Sequence, residues 1–237
     1  MSFFGYNDDF VLFGQQHIFM IVLTIALSIL LPFGARRWLP PEGQVRLSRG
    51  MALVLAFWVI FWIGVRLSLG DFDRRTDVPL DICNMMALLS PALMWRPQRR
   101  IHEVLYFWVL AGTLQAVLTP HLFDAFPTFT FFKYWFVHGG LIVYTIYNTI
   151  VFRLFPRKEG IWRAFGYLQI YVGIVFVLNS LLDANYVYIM GKPPTASPLD
   201  FLGPWPWYIL VAEGLGLALF GLAYAPVAIF RRNQRNR

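Results

Sequence analysis

The sequence predicts an all-α membrane protein, a single domain (residues 1–237) of seven transmembrane helices with the N-terminus outside and the C-terminus in the cytoplasm. Three observations support this fold class: the composition, the apolar runs and the placement of positive charge. Of the 237 residues, 58% are hydrophobic and only 14% are charged, which is typical of a membrane protein and not of a soluble domain.

Seven apolar runs are candidates for membrane spans, because about 20 helical residues cross the hydrocarbon core of a bilayer. We place them at residues 17–35, 50–69, 80–95, 104–119, 134–152, 164–182 and 207–230. The third run is the weakest because it is short and carries Asp81 and Pro91, so we expect neighbouring helices to stabilise it. No strand periodicity and no internal repeat interrupts the series.

The segments that follow these runs alternate in positive charge. The first, third, fifth and last hold four, three, four and four Lys/Arg residues, whereas those between hold two, one and one. Because short loops rich in Lys and Arg stay in the cytoplasm, this alternation sets the topology. The net charge of +7 then faces anionic lipid headgroups, so we expect membrane phospholipids as partners and no nucleic acid.

Polar side chains that are costly in a membrane collect at the outer ends of the predicted helices, which indicates a site that opens outward. The candidate substrate-binding or supporting residues are Arg66, Asp81, Asn84, His121, Asp183, Asn185, Tyr186 and Lys192, together with Glu213 in the last span. Few polar groups are expected in the inner half, which disfavours a transport path.

Cys83 and His138 are the candidate catalytic pair. Each lies about one helical turn from the outer end of a span, so the two share a depth and could meet if the third and fifth spans pack together. A thiolate is a strong nucleophile, and an imidazole can take its proton and later protonate a leaving group. Asn185 or Asp183 could orient that imidazole. The alternative is a packing cysteine and an interfacial histidine.

Arg66 and Glu213 are the other costly residues, at compatible heights. Arg66 could bind an anion such as a phosphate or a developing oxyanion. The alternative is a structural ion pair, with Glu213 or Asp81 as its partner.

Histidines could also form a metal site, from His17, His121 and His138 with a carboxylate. Metal sites on helices commonly use ligands four residues apart, and no two of these histidines have that spacing. The single cysteine excludes an internal disulfide and a cysteine-cluster metal site. We therefore expect no metal and no other cofactor.

Three segments resemble the YwaF family of bacterial integral membrane proteins: residues 80–87 (LDICNMMA), 131–140 (FFKYWFVHGG) and 185–196 (NYVYIMGKPPTA), the last continuing through 200–207. The resemblance covers nearly the whole chain and implies a multi-pass protein of the bacterial cytoplasmic membrane. It also implies kinship with vertebrate membrane acyltransferases of ether phospholipids and, more distantly, with androgen-induced hydrolases of fatty-acid esters. The essential cysteine and histidine of the acyltransferases correspond to Cys83 and His138.

The function that we expect is Cys/His-dependent acyl transfer, or ester hydrolysis, on phospholipid-like substrates at the outer leaflet. Cys83 would attack an acyl ester, His138 would act as base and then acid, and Arg66 or the amide of Asn84 would stabilise the oxyanion. One alternative is a non-enzymatic protein that binds or transports lipids or small molecules. Another is an assembly or sensor subunit.

The topology makes a direct prediction. A reporter that is active only in the cytoplasm should give signal when fused after Arg100 and none when fused after Thr76, because the two positions lie on opposite sides of the membrane. Reporter activity in cells measures this, and equal signal from both fusions would contradict the seven-span prediction.

Overall fold

The computed structural model describes residues 3–193 and 198–235, and these residues are helical with no β-strand. The long helices are α1 (Gln15–Trp38), α2 (Pro41–Leu69), α3 (Ile82–Met94), α4 (Arg99–Leu118), α5 (Phe129–Val151), α6 (Lys158–Leu182) and α7 (Trp207–Arg235). Short 3₁₀ segments lie at Tyr186–Tyr188 and Pro198–Leu202. Each predicted span coincides with one long helix, so the prediction of seven helices is confirmed. Residues 194–196, the end of the third resembling segment, lie outside the described part.

Five of the helices, α1, α2, α4, α6 and α7, are long and apolar enough to cross a membrane. The number differs from the seven predicted spans for two reasons. Helix α3 has only 13 residues, and α5 has 23 residues that include histidine, asparagine and several tyrosines, which lower its mean hydropathy. Both need protein neighbours more than the other helices do.

Helix α5 lies at the centre of the bundle. It packs on α1, α2, α3 and α4, while α6 and α7 pack on α4. Its residues Val137, Leu141 and Tyr144 are fully buried. Successive helices run in opposite directions, as contacts between Ser48 and Asn148 at one end and between Arg75 and Asp183 at the other show. We call the first the hairpin end, because the α1–α2 turn lies there, and the second the Cys83 end.

A buried ion pair fastens α4 to α6 at the hairpin end. The carboxylate of Glu103 is fully buried, pairs with Arg163, and accepts a hydrogen bond of 3.1 Å from the backbone N–H of Arg157. Gly160 makes room for it, since a Cβ there would lie 2.9 Å from the carboxyl carbon of Glu103. The pattern of apolar residues does not predict this contact, because its members lie more than 50 positions apart.

Replacing Glu103 by Gln should lower the free energy of unfolding by about 1.5–3 kcal/mol, the usual worth of hydrogen bonds to a buried charge. Unfolding of the purified protein by sodium dodecyl sulfate in mixed micelles measures this. The control is Glu159→Gln, an exposed residue in the first turn of α6, which should cost at most about 1 kcal/mol. Equal losses in the two variants would show that the buried pair contributes no special stability.

Candidate active site

Cys83 lies in the first turn of α3, where it faces α4. Its Sγ atom is 3.2 Å from the hydroxyl oxygen of Thr113. Thr113 ends a π-helical segment, Val109–Thr113, within α4. Because a π-helical turn shifts the residues after it relative to a regular α-helix, this segment sets where the hydroxyl points. Such segments are frequent at functional sites.

His138 lies on the face of α5 that is turned towards α4. Its Nδ1 atom is 2.9 Å from the carbonyl oxygen of Tyr134, and its ring stacks on the Tyr134 ring with centroids 4.1 Å apart. The Tyr134 hydroxyl in turn donates to the carbonyl of Ala116 on α4, at 2.7 Å. Because a carbonyl only accepts, Nδ1 carries the proton and Nε2 is left as an acceptor. That is the form of imidazole a general base needs.

Lys133 lies near both residues, close enough for its ammonium group to interact electrostatically with Cys83 and with His138. The Nζ atom lies 5.2 Å from the centre of the Trp62 ring, and among the described residues it forms no hydrogen bond and no ion pair. Asp81 also acts on Lys133, but its carboxylate accepts a hydrogen bond of 3.3 Å from the amide of Asn84. The site therefore contains a cation without a paired anion.

Helix α3 packs against α5, which is the condition under which Cys83 and His138 could meet. The hydrogen bond of the Cys83 thiol is with Thr113, however, and that of the His138 imidazole is with Tyr134. Catalytic hydrogen bonds are often not made before the substrate binds. The direct pairing of Cys83 with His138 stays a prediction.

Thr113, Lys133 and Tyr134 were missed from the sequence. Thr113 gave no signal, since nothing local indicates a π-helical turn. Lys133 was counted only as a loop charge, although it lies five residues before His138 in one of the resembling segments. Lys133 also lies among the aromatic residues that begin α5, and this was the signal that its ammonium group could pack within the protein.

The expectation for the partner of Arg66 was wrong. Its Nε atom lies 3.0 Å from the carboxylate of Asp77, Asp71 is 3.9 Å away, and Nη1 donates to the Tyr6 hydroxyl at 2.7 Å. Asp77 is available because the link after α2 folds back over the helix end. Glu213 is half-buried on α7 and forms no ion pair with the part of the chain that the structure describes. Arg66 is thus largely neutralised.

The idea that Asp183 or Asn185 orients the imidazole was also wrong, because the Tyr134 carbonyl does so. Asp183 ends α6 and pairs with Arg75. Asn185 closes a turn, accepting from the N–H of Met190 at 2.9 Å and donating to the carbonyl of Gly191 at 2.8 Å.

Tyr186 and Lys192 serve the loops at the Cys83 end. The Tyr186 hydroxyl donates to the carbonyl of Arg74 at 3.0 Å and accepts from the N–H of Val78 at 2.9 Å. Burial raises the pKa of Tyr186 to about 12, so the hydroxyl keeps its proton at neutral pH. Lys192 lies over the ring of Tyr208, 5.6 Å from its centre. These contacts join the link after α2 to the long link before α7.

The other histidines do not gather around a common point. His17 is fully buried, its Nδ1 accepts from the N–H of Phe13 and its Nε2 donates to the carbonyl of Val117, both at 2.9 Å. His121 is exposed and contacts the Phe123 ring. Within residues 3–193 and 198–235, no three His, Cys, Asp or Glu side chains are grouped so as to hold a metal ion.

The hairpin end is more polar than expected. Asn148 accepts from the Ser48 hydroxyl at 2.9 Å, and a His102 ring nitrogen lies 2.8 Å from the Thr149 hydroxyl. All four residues are buried, as is Tyr144. The expectation of few polar groups in this half was therefore wrong. Single threonine and asparagine residues inside an apolar run lower its mean hydropathy only slightly, so hydropathy does not reveal them.

Replacing Tyr186 by Phe should lower the free energy of unfolding by about 0.5–1.5 kcal/mol, the usual net worth of a hydrogen bond, because it removes the hydroxyl that joins the carbonyl of Arg74 and the N–H of Val78. The loosened link should also be cut faster by trypsin after Arg74 or Arg75, which gel analysis of timed digests measures. Tyr167→Phe is the control, since that tyrosine is exposed on α6. Unchanged cleavage in the Tyr186 variant would mean that its hydroxyl does not hold the link.

One protein family matches the chain. The model of the TMEM164 family, a membrane protein family, matches residues 12–224, which includes all seven long helices except the end of α7. No curated protein and no solved structure matches the chain. Because the match covers most of the sequence, the chain belongs to the TMEM164 family.

Proposed function

We propose that this protein is a lipid-modifying membrane enzyme that transfers, or hydrolyses, acyl groups of phospholipid-like substrates at the outer leaflet. The observation that carries the proposal is the polar cluster of Cys83, Thr113, Lys133 and His138 at one end of the bundle, where α3, α4 and α5 pack on one another and the Cys83 thiol contacts Thr113. The resemblance of the same segments to the YwaF family, with its acyltransferase kinship, supports the same chemistry.

In the proposed reaction, Nε2 of His138 takes the proton of the Cys83 thiol as the sulfur attacks the ester carbonyl. The tetrahedral intermediate collapses by breaking the ester C–O bond, and the imidazolium returns the proton to the departing alkoxide. The acyl group is then a thioester on Cys83. A lysophospholipid hydroxyl, or water, gives its proton to His138, attacks the thioester and releases the thiolate, which recovers the proton.

Lys133 is the best candidate for stabilising the oxyanion. Its ammonium is unpaired among the described residues, whereas Arg66 is bound to Asp77. The amide nitrogen of Asn84 is occupied by Asp81. A cation held in a site with little water stabilises a developing negative charge strongly. The same charge would also attract the phosphate of a lipid headgroup.

We also propose that all seven helices span the membrane, with α3 and α5 shielded from lipid by their neighbours, and that the Cys83 end lies outside. The alternation of Lys and Arg supports this orientation. The cluster then opens to the outer leaflet of the cell membrane.

Replacing His138 by Ala should lower the rate of acyl transfer by about 10²–10⁴-fold, the usual contribution of a general base. It should also slow the labelling of Cys83 by a lipophilic maleimide in intact membranes, and because Cys83 is the only cysteine the label is unambiguous. Mass spectrometry of a phospholipid with a labelled acyl chain, incubated with a lysophospholipid acceptor, measures transfer. Cys83→Ser should abolish it.

His121→Ala is the matched control, because this histidine lies at the same end of the bundle but is exposed and packs on Phe123, so the structure gives no support to the role expected for it in substrate binding. It should leave both the transfer rate and the labelling rate unchanged. If labelling of Cys83 were the same in the His138 variant at neutral and alkaline pH, the imidazole would not be its base.

The buried polar residues at the hairpin end favour a second candidate, a non-enzymatic protein that binds or transports lipids or small molecules. Dependence on Cys83 separates the two. A wild-type protein that moves a labelled lipid across vesicle membranes, and does so equally well as the Cys83→Ser variant, would establish the second function and exclude the first.

A further inference from the structure

A long apolar groove runs between α1 and α2, with α5 as its floor. Its volume is about 920 Å³, which lies in the range of ligand-binding pockets. Leu23 and Leu27 belong to the α1 wall, Val54 belongs to the α2 wall, and Trp135 and Val143 belong to the floor. Nearly all of the lining is apolar, so the groove suits a hydrocarbon ligand. We call it the α1–α2 groove.

Two glycines in α5 allow the walls to approach the floor. A Cβ on Gly139 would lie 2.9 Å from the Thr24 hydroxyl on α1, and a Cβ on Gly140 would lie 2.9 Å from a methyl carbon of Leu55 on α2. Both helices therefore meet α5 along the floor while standing apart from each other above it. The result is a groove between the two helices with α5 as its floor.

The groove is closed at one end and open at the other. At the hairpin end, Ala35, Tyr147 and Val151 are buried and pack against Leu31 and Leu47, which line the last part of the groove. A transmembrane helix of another protein would need a groove that is open at both ends. A lipid tail, which enters from one leaflet and stops inside the membrane, needs only one opening.

Two polar side chains, Gln15 and Gln16, lie at the open end among phenylalanine rings, and the side chain of Gln16 accepts from the N–H of Phe126 at 2.9 Å. From Gln15 to Leu31 along α1 the groove is about 24 Å long at 1.5 Å per residue. Half of the hydrocarbon core is about 15 Å thick, so the groove is long enough for a complete acyl chain with its ester at the mouth.

Trp135 offers a partner for such an ester. It lines the groove, it is only 3% exposed, and its indole Nε1 has no acceptor among the described residues. A buried N–H without an acceptor is costly, and the carbonyl oxygen of a lipid ester is an acceptor that an apolar ligand can supply.

This groove is distinct from the polar cluster. Tyr134 and His138 are turned towards α4, where the Tyr134 hydroxyl bonds Ala116. Trp135, Gly139 and Val143 belong to a different side of α5, which faces α1 and α2. We propose that the α1–α2 groove binds one ester-linked acyl chain of a membrane phospholipid, and that it does so whether or not Cys83 is catalytic.

Photolabelling of the full-length protein in phosphatidylcholine vesicles tests this. The probe is a phosphatidylcholine with a diazirine on one acyl chain, and mass spectrometry of peptides locates the adducts. We expect adducts concentrated on the wall and floor residues of the groove. Filling it by Leu27→Trp or Val54→Trp should abolish these adducts, and Trp135→Phe should weaken them by removing the indole N–H.

The matched controls are Ile29→Trp on α1 and Leu53→Trp on α2, which place the same ring on exposed positions outside the groove. They should keep the adducts, and the elution volume of each variant in size-exclusion chromatography shows that it is folded. Adducts spread evenly over all exposed apolar surfaces, or adducts that persist when the groove is filled, would overturn the proposal. So would a groove protected from label by a second copy of the chain, seen as a cross-linked dimer.

Discussion

The burial of α5 is the constraint on which the rest of the structure depends. Val137, Leu141 and Tyr144 have no exposure, and the helix is surrounded by α1, α2, α3 and α4. Polar side chains on such a helix cannot turn to water, so each must be bonded within the protein or to a ligand. Asn148 and Thr149 meet this demand with Ser48 and His102. The indole of Trp135 and the hydroxyls of Tyr144 and Thr145 have no hydrogen-bond partner within the described residues, and of these three groups the indole belongs to a residue that lines the α1–α2 groove.

One helix thus serves two candidate sites on different faces. His138 and Gly139 are neighbours in the chain, yet the first faces α4 and the second lies against Thr24 of α1. A helix is stiff over one turn, so a side chain at Gly139 that pushed α1 away would also move the imidazole. Gly139 and Gly140 therefore influence both the position of the His138 imidazole and the shape of the groove.

Local patterns in the sequence were sufficient to locate the helices but not to identify which side chains contact one another. Apolar length and alternating charge located all seven helices, including the short α3, because both signals lie within a few residues of each helix. The shared depth of Cys83 and His138 left the packing of α3 on α5 as a condition for their meeting, and the two helices do pack together. The partner of Arg66 could not be identified from depth, because depth alone cannot distinguish Asp77 in a folded-back link from Asp81 or Glu213. The thiol contact with Thr113 depends on a π-helical turn that no composition or periodicity indicates.

Lys133 shows how a charge can be assigned correctly to a membrane side and still be misunderstood. A lysine at a helix end usually extends its ammonium group into water, and the charge pattern alone predicts that position for Lys133. Here the ammonium lies over the Trp62 ring instead, which satisfies a cation without cancelling its charge. Arg66 lies at the same end of the bundle, and its charge is cancelled by Asp77. The two cations at this end therefore have different roles: the paired one holds a link in place, and the unpaired one leaves a positive potential beside the thiol and the imidazole, where a lipid ester or phosphate would be attracted.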